Sequence, residues 1–121
     1  MESTRECEAT FEAANPGIDV IPSDQVPDGE PQWATPLLAA CRLIGLFDII
    51  GETAGAELTP QTFESAAYTL GTFELPGQPF NSIGPDKLDA NDGMGLGVFD
   101  PAVGTEGGLR PVLPYVSVTD D

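Results

Sequence analysis

The chain contains no histidine, and this limits the chemistry that its side chains can perform. A Ser–His–Asp or Cys–His arrangement cannot be built, so general-base work would fall on a carboxylate or on Lys87, the single lysine. Asp89 and Asp92 are closely spaced carboxylates, but a chain with 20 acidic residues contains such pairs by chance. We therefore expect solvated loop charges, no enzyme and no cofactor.

One acidic loop invites comparison with a calcium site, because hard cations prefer several carboxylate and amide oxygens within one turn. If an EF-hand loop began at Asp89, Met94 would occupy the position of the required glycine. Asp100 would stand where a bidentate glutamate is preferred. The register therefore predicts no metal site, with calcium as the alternative. The oxygen-bearing residues of this loop are Asp86, Asp89, Asn91, Asp92 and Asp100.

Alternating glycines and two large aromatic residues complete the set of possible site residues. Gly93, Gly95 and Gly97 superficially resemble a phosphate-binding loop, but no helix follows them and the surroundings are acidic. Glycines in a strand more often mark a bulge or allow another backbone to approach closely. Trp33 and Tyr68 are expected to pack rather than to line a pocket.

The charge of the chain excludes several partner classes. Four basic and 20 acidic residues give a net charge of −16, which repels nucleic-acid phosphates and anionic lipid headgroups. The apolar stretch from Pro36 to Ile50 is interrupted by Arg42 and Asp48 and is shorter than a membrane span. Residues 1–14 carry glutamates and no apolar run. We expect no nucleic-acid binding, no membrane insertion and no signal peptide in this chain.

Periodicity and capping residues predict three helices and several short strands. Ser3 is the expected N-cap of the first helix. Thr59 and Pro60 form the N-cap and first position of the third, with Gly71 as its left-handed C-cap. The predicted helices are 2–14, 33–54 and 60–70, and the predicted strands are 18–21, 94–99 and 109–118, with an extended crossing at 22–31 and turns at 76–85.

The second predicted helix is apolar on two sides. Leu43, Phe47 and Ile50 lie on one broad arc, and Leu38 and Ile49 fall on the side that also carries its acidic residues. Such a helix needs protein on both faces. In a chain of 121 residues it predicts a natural partner surface larger than the chain supplies, which indicates a fragment.

Cys7 and Cys41 are widely separated and form no CxxC pair. Without histidine, most zinc and thioredoxin-type sites are excluded. The two thiols are either unrelated buried residues or a disulfide between the first and second helices. A disulfide would require an oxidising compartment.

The order of features from Cys41 to Asp92 is more specific than any single motif. The series comprises Cys41, Ala54-Gly55, Leu58-Thr59, Phe63, Leu70-Gly71, Phe73, Leu75-Pro76-Gly77, Ser82-Ile83-Gly84-Pro85-Asp86-Lys87, Asp89 and Asp92. It resembles the C-terminal part of type I periplasmic substrate-binding proteins of ABC transporters, the branched-chain-amino-acid-binding kind. The resemblance covers about residues 6–100.

The resemblance implies a partial type I binding-protein fold of α/β class, with three helices, short strands and an incomplete sheet. Residues 1–21 would end the second lobe, 22–32 would form a hinge or crossing segment, and 33–121 would return to the first lobe. The implied partners are a small polar ligand such as an amino acid and an ABC permease. The implied location is extracytoplasmic, as a periplasmic protein or a cell-surface lipoprotein, where Cys7 and Cys41 look like positions that pair.

The resemblance assigns no ligand-binding residue to this chain, because the family's ligand contacts fall in segments that would precede Met1. Ligand binding by the chain alone is therefore not expected. The alternative function is a stand-alone acidic interaction domain that docks a partner through the apolar helix 33–54.

Overall fold

The structure, a computed structural model, describes residues 4–104 and 107–119. These ranges form a mixed α/β chain with three α-helices and two separate two-stranded antiparallel sheets. The elements are α1 (Thr4–Ala14), α2 (Ala34–Ala54), α3 (Pro60–Thr69), β1 (Gly71–Leu75), β2 (Gln78–Ile83), β3 (Gly93–Asp100) and β4 (Gly108–Ser117). A single turn of 3₁₀-helix, Ser23–Gln25, interrupts the predicted crossing segment.

The prediction for α1 is confirmed over the residues that the structure describes, and its expected N-cap, Ser3, lies outside them. No side chain of α1 is fully buried. The helix is followed by Pro16 and by Gly17, whose φ of +98° is a left-handed conformation that glycine adopts without strain. α1 therefore lies on the surface of the other elements.

The predicted strand at 18–21 is wrong, because these residues pair with no other strand. Instead, the Ile18 amide donates to the Asn15 carbonyl at 3.1 Å, closing the turn after α1. The Val20 amide donates to Glu12 Oε1 at 2.7 Å. A β-branched run forms a strand only where a neighbouring strand accepts its backbone hydrogen bonds, and the described residues supply none here.

The predicted boundaries of α2 and α3 are confirmed to within one residue. α2 ends at Ala54 and is capped by Gly55, whose φ is +77°. α3 begins with a reciprocal cap in which the Thr62 amide donates to Thr59 Oγ1 at 3.2 Å and the Thr59 amide donates to Thr62 Oγ1 at 2.8 Å. Pro60 occupies the first turn, and Gly71 follows the helix at φ +63°. Local sequence signals therefore determine both ends of α3.

The stretch 76–85, predicted as turns only, contains the turn and the second strand of a β-hairpin whose first strand, β1, lies just before it. β1 and β2 pair antiparallel, with Phe73 opposite Asn81, and the turn passes through Gly77 at φ +62°. Arg42 of α2 donates to the carbonyls of Pro76 and Gly77 at 2.9 and 3.0 Å, which holds the turn against the helix. The prolines in this stretch interrupt the alternating pattern by which a strand is recognised in a sequence. A proline is nevertheless tolerated in a strand at the edge of a sheet.

The final two predicted strands are confirmed as the antiparallel hairpin β3–β4. The register shifts on either side of Leu96, so the strands are irregular there. Apolar side chains on both faces of this hairpin remain accessible, including Met94, Phe99 and Val112. A strand that is apolar on both faces is typical of a sheet covered on both sides.

The buried apolar core of the described residues is small. It consists of Cys41, Ile50, Ala66, Leu75 and Ile83. The accessible surface is 8475 Å², whereas a compact monomer of 12.7 kDa exposes about 6,200 Å². The excess of roughly 2,200 Å² is comparable to one side of a large obligate interface. The elements are therefore formed without the packed interior that usually stabilises them.

By length and apolarity alone, α2 could cross a membrane. The apolar stretch from Pro36 to Ile50 is shorter than α2, which has 21 residues, so the expectation that it is too short to span a membrane is wrong for the whole helix. Core helices of water-soluble proteins meet the same criterion. Arg42, near the middle of α2, donates a hydrogen bond to the turn between β1 and β2. If α2 spanned a membrane, this charged side chain and its partner would lie in the hydrocarbon core, which is energetically costly.

Candidate functional site

α2 is the element on which the other parts of the chain converge. A disulfide joins Cys41 of α2 to Cys7 of α1, with a Cα–Cα distance of 6.3 Å. The rings of Phe11 and Trp33 lie 5.9 Å apart and form a second contact beside it. These two contacts attach α1 to α2, and the hydrogen bond that the Val20 amide donates to Glu12 holds the segment after α1 against it; α1 buries no side chain of its own. The disulfide is therefore a major tether of α1.

The outer face of α2 presents a large apolar surface, which we call the α2 face and define by Leu43, Ile44 and Phe47. Their exposed fractions are 70%, 69% and 60%. Phe47 also contacts Phe63 of α3, with ring centroids 4.8 Å apart. Three large apolar side chains exposed together on adjacent turns of one helix are typical of a surface that contacts protein.

A polar network around Lys87 connects the two hairpins. Its ammonium lies 2.9 Å from Asp92 Oδ1 and 3.0 Å from Asp89 Oδ1, and it donates to the Ser82 carbonyl at 2.8 Å and to the Asp89 carbonyl. Asp92 Oδ2 accepts from Ser82 Oγ at 2.5 Å. The Asp92 backbone donates to Phe80 and accepts from Val118. Asp89 and Asp92, the predicted carboxylate pair, thus lie close together because both pair with Lys87.

The surroundings of Lys87 and Asp92 favour the charged forms of both groups. The hydrogen bond from Ser82 is the largest influence on Asp92, and together with Lys87 it outweighs burial and holds the pKa of Asp92 below its ordinary value. Burial acts to lower the pKa of Lys87. Its hydrogen bonds to Asp92 and Asp89, and their charges, outweigh burial and raise that pKa. Lys87 and Asp92 therefore form an ion pair at neutral pH.

The other members of the acidic loop are dispersed. Asp100 pairs with Arg110 at 3.2 Å, and Asn91 Oδ1 accepts from the Tyr115 hydroxyl at 2.7 Å. Within residues 4–104 and 107–119, no three Asp, Glu or Cys side chains come together in a way that could hold a metal ion. The structure therefore does not bring the calcium-like set into one site.

The alternating glycines lie in β3, where the register shifts confirm the expected bulge, but the group that approaches Gly93 closely is a side chain and not a backbone. At Gly93 an added Cβ would lie 2.1 Å from the ring of Tyr115. At Gly95 the nearest atom of the same ring is 3.6 Å away, an ordinary contact. Tyr115 thus covers a glycine surface, and its ring stacks on Phe80 at 5.9 Å.

The two aromatic candidates do not share a pocket. Trp33 packs on Phe11, and the Tyr68 hydroxyl donates to Glu64 on its own helix at 3.2 Å. Asn81 is a buried polar residue that the sequence argument missed. Its amide donates to Phe73 and Gln78, while its Oδ1 has no donor among the described residues. No sequence signal marks Asn81, because its burial depends on the hairpin.

The chain was compared with protein families, curated proteins and solved structures, and none of these matches it.

Proposed function

We propose that this chain is the C-terminal part of a solute-binding protein that serves an ABC importer of amino acids or similar small polar ligands. The proposal starts from the ordered residues between Cys41 and Asp92 and their resemblance to type I binding proteins. In the whole protein, the chain would contribute helices and a return hairpin, the ligand would bind between two lobes, and an ABC permease would receive it. This role involves no catalysis and no cofactor.

The observation that carries the proposal is the unfinished core. Five apolar residues are buried in the described ranges, while α2 and the β3–β4 hairpin expose large apolar side chains. An interior of this kind is completed when further sheet and helices cover it. The Cys7–Cys41 disulfide is consistent with an extracytoplasmic location, because such bonds persist in oxidising compartments.

The experiment compares the chain with the product of the same reading frame extended upstream of Met1. We expect the longer product to be monomeric and to melt cooperatively, with a melting temperature that rises when its amino-acid ligand is added. The chain alone should self-associate through its exposed apolar residues. A stop codon directly upstream, together with a monomeric chain that melts cooperatively alone, would refute the proposal.

A pair of matched variants tests whether the α2 face causes the self-association. Replacing Leu43 and Phe47 by Gln should shift the chain towards monomer in size-exclusion chromatography. Leu88 is 74% exposed in the loop between β2 and β3, so Leu88→Gln serves as the control and should leave the elution unchanged. Equal effects of both changes would show that general apolarity, not the α2 face, drives association.

A second candidate function is a stand-alone acidic domain that docks a partner through α2. The exposure of Leu43, Ile44 and Phe47 favours it, because it makes α2 available to another chain. The upstream stop codon that would refute the first function would leave this one as the leading proposal.

A further inference from the structure

A groove runs between α1 and α2 on the side of α2 that faces away from α3. It has a volume of about 620 Å³. Its α2 wall includes Leu37, Ile44 and Ile49, and Phe11 lines the α1 wall. The α2 positions that line it recur at helical spacing from Leu37 to Glu52, so the groove follows the helix for about 22 Å.

The walls of the groove determine what kind of segment can occupy it. Both long walls are helices, whose backbone groups are hydrogen-bonded within the helix. A strand laid into the groove would find no sheet edge here and would leave its own backbone groups unpaired against apolar side chains. A helix satisfies its backbone internally and can present an apolar face to the groove. The geometry therefore favours a helix.

The charged residues of the groove determine which charge the bound helix should carry. The charged side chains that line it are Asp48 and Glu52, which are both exposed and lie one turn apart. Within the described residues neither forms an ion pair, because Arg42, the only cation of α2, is bound to the hairpin turn. Like charges four residues apart destabilise a helix by about 0.2–0.5 kcal/mol. The groove therefore lacks a positive partner.

Asp48 and Glu52 also lie at the end of α2 where a positive charge is most favourable. They lie in the C-terminal part of α2, where the helix dipole is negative and where a basic residue is normally favourable. The last turn of α2 contains no basic residue. Cations carried by a bound helix would meet both carboxylates and the negative end of the dipole at one place.

We propose that the groove between α1 and α2 binds a cationic amphipathic helix. Its apolar face lies against Leu37, Ile44 and Ile49, and its Lys or Arg residues lie against Asp48 and Glu52. This inference rests on the docking role of α2 proposed above and specifies the partner's chemistry.

The test uses the full chain and a synthetic Leu/Lys peptide of about 15 residues, the helix length that spans the groove. A peptide with Glu in place of every Lys provides the charge control. Binding is followed through Trp33, the single tryptophan, whose ring contacts the groove residue Phe11. In about 150 mM salt, where distant charges are screened, we expect the Lys peptide to bind at least about tenfold more tightly than the Glu peptide.

Matched variants separate the groove from the general acidity of the chain. The double change Asp48→Asn and Glu52→Gln should weaken binding of the Lys peptide by about tenfold. Asp24→Asn with Asp28→Asn removes the same charge from the connection before α2 and should alter the affinity by less than about twofold. Ile49→Gln should weaken binding of both peptides, because it removes an apolar contact from the groove wall without adding a charge, and Ile49 is not part of the α2 face.

Three results would overturn the inference. An equal loss of Lys-peptide affinity in both double variants would mean that the peptide is attracted by the overall negative charge of the chain and not by the groove. Equal affinities for the two peptides would remove the preference for a cation but leave the docking role of α2 intact. A chain dimer that Ile49→Gln dissociates, with no peptide binding, would identify a second copy as the occupant of the groove. None of these results bears on the test with the upstream-extended protein.

Discussion

Replacing Asp92 by Asn should weaken the contact between the two hairpins, because it removes the charge that binds Lys87 while leaving the backbone hydrogen bonds of residue 92 in place. The Asp92 side chain is 5% exposed and receives both the Lys87 ammonium at 2.9 Å and the Ser82 hydroxyl at 2.5 Å. Asn has nearly the same size, so the change removes the charge and disturbs packing little. Hydrogen bonds to charged groups contribute about 1.5–3 kcal/mol, and we expect the free energy of unfolding to fall by about that amount.

Asp89 provides an internal control on the same ammonium. It lies 3.0 Å from Lys87, a distance close to that of Asp92, but its side chain is 84% exposed. Exposed ion pairs contribute about 0.2–1 kcal/mol because water screens them. Asp89→Asn should therefore change the free energy of unfolding much less than Asp92→Asn, although both remove one negative charge beside Lys87.

Urea unfolding of the upstream-extended protein, for which we expect cooperative unfolding, measures this difference directly. A loss of about 2 kcal/mol corresponds to a decrease of about 1 M in the urea midpoint. Lys87 is also the single lysine, so an amine-reactive reagent followed by peptide mass spectrometry reports on its availability. Labelling of Lys87 should be slow in the parent chain, faster in Asp92→Asn and nearly unchanged in Asp89→Asn.

The pH dependence provides an independent check. The pKa of Asp92 is lowered in the folded chain, so its contribution to stability is complete above the pKa of the unfolded state. That contribution is lost as the pH falls below about 4 and through the lowered folded pKa. The stability difference between the parent chain and Asp92→Asn should therefore shrink in acid. A difference that stays constant there, or equal effects of the two variants at neutral pH, would refute the reasoning.

Two further perturbations test the packing. Gly93→Ala places a Cβ 2.1 Å from the Tyr115 ring and should lower the unfolding midpoint by the equivalent of about 1–3 kcal/mol. At Gly95 the ring is 3.6 Å away, so Gly95→Ala should have a smaller effect, and the reverse order would contradict this packing. Reduction of the Cys7–Cys41 bond, which closes a separation of 34 residues, should cost at most about 3–4 kcal/mol. Amide exchange should rise mainly in α1, and exchange that rises equally in α3 would count against a local tether.

The helices were predictable because their signals are local. Thr59, Pro60 and Gly71 specify the ends of α3 through capping and backbone geometry, and the structure contains these features where the sequence places them. The apolar period of α2 likewise predicts its span. In each case the determining interactions join residues within a few positions of one another.

The β1–β2 hairpin and the polar network were less accessible to sequence reasoning. Pro79 interrupts the pattern of β2, and the strand is recognisable only through its pairing with β1. Asp89 and Asp92 were visible as a pair. Their common partner Lys87 and the burial of Asp92 depend on how the loop between the hairpins folds back.

The sequence by itself determined the net charge of −16, the absence of histidine chemistry and the helices whose ends carry local caps. The tertiary structure alone decided that 18–21 is not a strand, that Cys7 meets Cys41 and that Lys87 joins two carboxylates. The physical reason is the range of the forces involved. Charge and capping act within a residue or a turn, whereas strand pairing, burial and the groove beside α2 exist only when distant segments are brought together.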